Sequence, residues 1–162
     1  MSEPVASEVD LAFMREALAL AERAEDAGEW PVGAVVVCDG EVIGRGHNAQ
    51  TLDHDPTAHA EVVAIRDACS RRRQRKLSGC VLYTTLEPCP MCEGAIVEAD
   101  LARVVFGGEL FAWIRDVKFA PAAIDRQGPI ETEGRAIFER RLRRKGRDEV
   151  FAYEQESRRR RT

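Results

Sequence analysis

"GAVVVCDGEVIGRG", residues 33–46, reads as two strands joined by a two-residue turn. The run 33–38 is continuous, apolar and rich in valine, as a strand buried on both faces should be. Asp39-Gly40 is a strong two-residue hairpin signal, and 41–46 returns as the partner strand. Whatever sheet contains this hairpin is antiparallel at that point. Before it, Ser7 and Asp10 have the spacing of an N-cap pair. Leu11, Met14, Leu18 and Ala21 then recur at helical intervals, as do Phe13, Ala17, Leu20 and Ala24, and Gly28 stops the pattern. An amphipathic helix over about 8–27 is expected.

After the hairpin, the polar stretch 47–54 reads as a loop. Asp55-Pro56 has the form of a cap followed by a first-position proline. The helix expected from it runs through "AHAEVVAIRDAC", with Val62, Val63 and Ile65 facing a core. "CVLYTT" (80–85) is a third, buried strand. Cys89-Pro90 repeats the cap-plus-proline form and opens a second helix, "MCEGAIVEADL", and "RVVFG" (103–107) is a fourth strand. The signal then weakens until "PIETEG" (129–134), a candidate fifth strand, and a final helix near 135–145. Strands alternating with helices give a three-layer α/β/α arrangement around a mixed five-stranded sheet. The crossovers through the two central helices make its remaining strands parallel.

The length of 162 residues suits a single domain spanning 1–162, with a basic tail from about 155. A chain of this size buries roughly 70% of its unfolded surface, enough for a core without staples. No apolar run approaches the ~18 residues of a membrane helix, and "MSEPVASEVD" lacks the basic-then-apolar order of a secretory signal. A cytoplasmic protein is expected. The five cysteines, Cys38, Cys69, Cys80, Cys89 and Cys92, are an odd number with one C-x-x-C pair. That usage suits free thiols in a reducing compartment better than a disulfide framework.

The net charge of −4 conceals an asymmetry. Residues 1–29 carry eight acids against Arg15 and Arg23, whereas 135–161 carry eleven bases against five acids. Further basic clusters stand at 71–76 ("RRRQRK") and 140–145 ("RRLRRK"), and "RRRR" lies near the end. Solvated helix ends explain such runs more simply than an RNA footprint, which stays open as the alternative.

The chemistry concentrates in "PTAHAEVV" (56–63) and "TLEPCPMC" (85–92). Zinc favours nitrogen and thiolate ligands, and a Cys₂His set leaves one tetrahedral corner for water. Cys89 and Cys92, three apart at a helix start, can face one ion, and the helix N-terminus favours their thiolate forms. His59 stands at the start of the other helix. A closed structural site would need a fourth ligand, but Cys38, Cys69 and Cys80 lack a C-x-x-C partner and read as small core residues. Glu61 decides between the two: a carboxylate beside the open corner is what a proton shuttle requires. The ordered signature His-x-Glu … Pro-Cys-x-x-Cys is that of zinc nucleobase deaminases.

With these motifs in place, the chain resembles the cytidine and deoxycytidylate deaminase superfamily. The resemblance is to its branch of tRNA adenosine deaminases, guanine deaminases and fungal-type cytosine deaminases. It runs from "PVGAVVV" through "HDPTAHAEVVAIR" and "LYTTLEPCPMC" to "RVVFG", roughly residues 30–107. It implies a zinc ion on His59, Cys89 and Cys92, with Glu61 as proton shuttle. It also implies that Asn48, in "GHN", and the backbone N–H of Ala60 hydrogen-bond the substrate base, and that the protein is a homodimer.

The tRNA-acting branch carries a lysine- and glycine-rich stretch after the fourth strand, where this chain has "GELFAWIRDVKFAPAAIDRQGP" (108–129). Phe111 and Trp113 in that stretch are candidates to close over a small substrate, although aromatic residues there also suit a core. The triplet His59-Ala60-Glu61 further tilts the reading toward purines. The expectation is therefore hydrolytic deamination of a free nucleobase or nucleoside, a purine ahead of cytosine. The alternative is deamination of tRNA wobble adenosine, for which the arginine clusters would neutralise phosphates. An inactive zinc-containing binding module is a third reading, and the intact Glu61 speaks against it.

Overall fold

The structure, a computed structural model, describes residues 7–108, 125–127, 136–137, 139–140 and 143. Its elements in chain order are α1 (Glu8–Asp26), β1 (Gly33–Cys38), β2 (Glu41–His47), α2 (Ala60–Arg72), β3 (Val81–Thr84), α3 (Pro90–Glu98), β4 (Arg103–Phe106) and β5 (Asp125–Gln127). The candidate fifth strand at 129–134 lies outside the described residues, as do Phe111, Trp113 and the terminal arginines. Of the final helix, Ala136, Ile137, Glu139, Arg140 and Arg143 are helical, and Ile137 is buried.

α1 begins where the sequence places it. Ser7 Oγ accepts from the Asp10 N–H at 3.1 Å while the Asp10 carboxylate accepts from the Ser7 N–H, a complete capping box. The hairpin also forms as expected, with Asp39 and Gly40 both left-handed at φ 53° and 78°.

The sheet order is β2-β1-β3-β4-β5. β1 pairs antiparallel with both β2 and β3, whereas β3/β4 and β4/β5 are parallel. The parallel region is thus smaller than the crossovers suggest. α2 joins β2 to β3, which run in the same direction but flank β1, so the β1/β3 ladder is antiparallel.

Strand alternation sorts the core into two layers. Val35, Val37, Tyr83 and Val105 point to one face and pack with Met14, Ala17 and Leu20 of α1. Ala34, Val36, Leu82 and Val104 point to the other, against Ala60, Ala64, Ile65 and Ala68 of α2 and Ile96 of α3. Full burial of side chains such as Met14, Leu82 and Ile96 contributes about 1.5–3 kcal/mol each.

α2 departs from expectation twice. It begins at Ala60, not at Pro56, because Asp55 Oδ1 accepts from the Thr57 N–H at 2.8 Å and hydroxyl at 2.7 Å, closing a separate turn first. Val62 and Ile65 are buried as expected, but Val63 is only half-buried, and it is Ala60, Ala64 and Ala68 that lie closest against the sheet. The reason is on β2. A Cβ added to Gly46 would strike the Ala60 carbonyl and the Ala64 nitrogen, and one on Gly44 would strike Ala64 and Ala68. Two glycines facing three alanines let the helix lie directly on the strand, fixing the position of its first turn.

Candidate active site

The loops leaving β2 and β3 lead to the first turns of α2 and α3, at one end of the sheet. His59 is the N-cap of α2 and Cys89 the N-cap of α3, and neither side chain makes a capping hydrogen bond. Helices favour Ser, Thr, Asp or Asn at that position because the side chain can satisfy a free backbone N–H. Here both cap side chains are directed at each other instead. His59 Nδ1 lies 3.6 Å from Cys89 Sγ and 3.5 Å from Cys92 Sγ, and the two sulfurs are 3.6 Å apart.

Zinc bonds of about 2.3 Å to sulfur and about 2.0–2.1 Å to nitrogen, arranged tetrahedrally, place sulfurs ~3.8 Å apart and sulfur and nitrogen ~3.6 Å apart. The observed triangle matches those edges to within a few tenths of an ångström. His59, Cys89 and Cys92 are also the one His/Cys/Asp/Glu group able to hold a metal among the described residues.

The electrostatics agree. A hydrogen bond from Cys92 lowers the Cys89 thiol to about 4, with burial opposing and His59 assisting. Cys92 is pushed up, first by its bond to Cys89 and then by burial. Together the pair retains one proton, which a dication would displace. The hydrogen bond with Cys89 holds the His59 imidazole above its ordinary value against the effect of burial.

Glu61 is 3% exposed, on the first turn of α2 beside this triangle. Burial raises its carboxyl to about 7, and its remaining partners include the Cys92 thiol. A positive ion among the three ligands would draw that value down again.

Asn48 and Ala60, both expected to face a substrate base, are bonded to each other: the Ala60 N–H donates to Asn48 Oδ1 at 3.0 Å. That N–H has one proton and here it is used. Asn48 therefore satisfies, from outside the helix, one of the free N–H groups in the first turn of α2. Its amide nitrogen donates to Gln50 Oε1 at 3.3 Å. Trp113, the remaining candidate, lies outside the described residues.

Glu29 is a site-supporting residue that sequence reasoning missed. It is 1% exposed, and its Oε1 accepts from the N–H groups of Thr51 and Leu52 at 2.7 and 2.8 Å. This carboxylate adds to the loop's own backbone hydrogen bonds in holding the segment that follows Asn48. No periodicity or motif in the sequence marks it.

Residues 7–108 match the family described as the cytidine and deoxycytidylate deaminase zinc-binding region. The chain belongs to that family. It is accordingly a hydrolytic deaminase acting on exocyclic amines, with a zinc cofactor whose ligand chemistry the His59/Cys89/Cys92 triangle fits. It is 39% identical over 148 residues to the tRNA-specific adenosine deaminase of Bacillus subtilis, covering 84% of this chain and 92% of that one. It is 48% identical over 98 residues to the guanine deaminase of the same organism, covering 60% and 63%. Among solved structures, a tRNA:A34 deaminase studied for A-to-I editing at the wobble position superposes with a TM-score of 0.71 at 38% identity, covering 78% of this chain and 99% of that one. The Bacillus subtilis guanine deaminase gives 0.60 at 38% identity, covering 79% and 90%.

Among the described residues no helix is long and apolar enough to cross a membrane.

Proposed function

We propose that this deaminase acts on adenosine within tRNA, converting it to inosine with release of ammonia. The single observation carrying this reading is how far each likeness extends. In sequence, the match to a tRNA-specific adenosine deaminase covers 84% of this chain and 92% of that one, whereas the match to a guanine deaminase spans 98 residues. In structure both kinds of relative cover about the same share of this chain, 78% and 79%, and the tRNA deaminase superposes better, at a TM-score of 0.71 against 0.60. The first expectation, a free purine, rested on the stretch after β4, most of which lies outside the described residues, and on the triplet His59-Ala60-Glu61 for the preference for a purine. Its alternative is now the better supported.

His59, Cys89 and Cys92 would hold the zinc ion, which would supply Lewis acidity that makes water nucleophilic at neutral pH. The chain's own contribution to the chemistry is proton movement. Glu61 takes a proton from the attacking water and passes it to the ring nitrogen. It then takes the proton of the hydroxyl now on the ring carbon and passes it to the departing amine, leaving a keto oxygen and ammonia. Its burial keeps those transfers away from bulk solvent. Asn48 is held by the Ala60 N–H with its oxygen occupied, so it presents its amide donor to an acceptor on the base. Ala60 in this reading positions Asn48 rather than touching the base itself. A homodimer is part of the same reading, supported by Met91 and Val97, which stand 39% and 48% exposed on α3.

A second reading, a free guanine substrate, is favoured by the 48% identity to a guanine deaminase across the site-bearing region. The two separate cleanly. Zinc-loaded protein is incubated with a tRNA transcript bearing wobble adenosine and, in parallel, with guanine, adenine and cytosine. Inosine in the digested tRNA without ammonia release from free bases is the expected result. Ammonia from guanine with unchanged tRNA would transfer the assignment to the second reading.

A further inference from the structure

At the end of the sheet remote from the zinc ligands, the last residue of β1 faces the residue preceding β3. Cys38 Sγ and Cys80 Sγ are 2.7 Å apart, against 3.6 Å for the zinc-site sulfurs. We propose that Cys38 and Cys80 are a reversible oxidation site, closing to an intrachain disulfide that links β1 to β3.

Backbone geometry supports the bond. Val37 pairs with Val81, so Cys38 and Cys80 are the next opposed positions of the same antiparallel ladder. The Cys80 N–H donates to the Leu77 carbonyl, and the Cys80 carbonyl accepts from Ala102, so neither group is committed to Cys38. Opposed residues without mutual backbone hydrogen bonds have Cα atoms about 4.5 Å apart, inside the ~4.4–6.8 Å range of disulfides. A metal ion does not explain the pair. Two sulfurs sharing zinc sit ~3.8 Å apart, and no third ligand joins these two among the described residues.

The pair is also reachable. Although Cys38 is 9% and Cys80 2% exposed, both line a surface cavity of about 450 Å³ with Arg72, Arg75 and Lys76 among its walls. Three cations around the opening favour an anionic oxidant such as oxidised glutathione. Cys38, the more exposed of the two, is the attacking group, and burial, followed by the bond to Cys38, pushes the Cys80 thiol up.

The exchange balances. Cys38 gives up its proton and attacks one sulfur of oxidised glutathione, releasing one glutathione thiolate. Cys80 then gives up its proton and attacks the Cys38 sulfur, releasing the second. Two protein thiols are oxidised, one glutathione disulfide is reduced to two thiols, and the two released protons protonate them. The bond would close a loop spanning 42 sequence positions that carries Asn48, His59 and Glu61.

The test uses the zinc-loaded full chain equilibrated with oxidised glutathione, acid-quenched, denatured and alkylated. Reduced protein presents five alkylatable cysteines. The oxidised sample is expected to present three, with Cys38 and Cys80 joined in one cross-linked peptide that dithiothreitol releases. Cys38→Ser is expected to abolish the cross-link while leaving deaminase activity unchanged. Five alkylatable cysteines after equilibration, or a cross-link joining Cys89 to Cys92 or involving Cys69, would overturn the proposal.

Discussion

The two ends of the sheet each hold a pair of cysteines, and the pairs differ in what the backbone makes of them. Cys89 and Cys92 are three residues apart across the start of α3, with sulfurs separated by 3.6 Å and a histidine completing a triangle. Cys38 ends β1 and Cys80 precedes β3, and their sulfurs are 2.7 Å apart, with no third donor among the described residues. A helix start spreads its thiols to the width of a metal ion, whereas an antiparallel ladder brings them closer together than a shared metal ion would. Composition alone would treat all four alike.

The comparison breaks most completely at the zinc end. Cys89→Ala removes one of three ligands, and both zinc content and turnover should be lost, read by metal analysis and ammonia release. Retained zinc would mean that the triangle is not the metal site.

Gly46→Val tests the support of that end without touching a ligand. The new side chain meets the Ala60 carbonyl and Ala64 nitrogen, so α2 must shift, carrying His59 and Glu61 with it. A stability loss of about 1–3 kcal/mol is expected, together with weakened zinc retention. Denaturation and metal analysis measure the two. Unchanged zinc affinity would show that the site tolerates movement of α2.

A smaller effect is expected on the sheet face away from α2. Asp10 accepts hydrogen bonds from Ser7 and from the Tyr83 hydroxyl at 2.8 Å, with Arg103 at 3.7 Å. Burial pushes its carboxyl up, but the hydrogen bonds from Ser7 and Tyr83 outweigh that and leave it below the ordinary value. Its contribution to stability is therefore present above the unfolded value of about 3.9 and lost as pH falls through the folded value. Asp10→Asn should cost about 1 kcal/mol at pH 7 in chemical denaturation, and the difference from the parent should shrink as pH falls below ~4. A difference independent of pH would show that size and packing, not charge, matter there.

Much of this was legible in sequence because single residues impose it. Asp39-Gly40 marked the hairpin through its left-handed backbone, and Ser7 with Asp10 marked the start of α1. The metal ligands were legible because His, Cys and Cys at helix starts have few other uses together. The start of α2 was not, because Asp55 and Thr57 form a turn whose hydrogen bonds mimic a cap. Glycines at alternate positions of β2 were the available sign that α2 packs through alanine, since a glycine inside a strand often marks close backbone approach. The Asn48–Ala60 bond, the Glu29 clamp and the Cys38–Cys80 pair join residues 12 to 42 positions apart, and only the folded chain brings them together.

The central claim is that Glu61 moves protons beside a zinc ion that others hold. Glu61→Gln preserves shape and removes the ionisable group. Zinc per chain and turnover, measured on one preparation of this variant, test the claim most directly. The expected result is unchanged zinc with turnover reduced by about 10²–10⁴-fold. Loss of zinc from the variant would make Glu61 a ligand, and full turnover with zinc retained would place the proton transfer on another group.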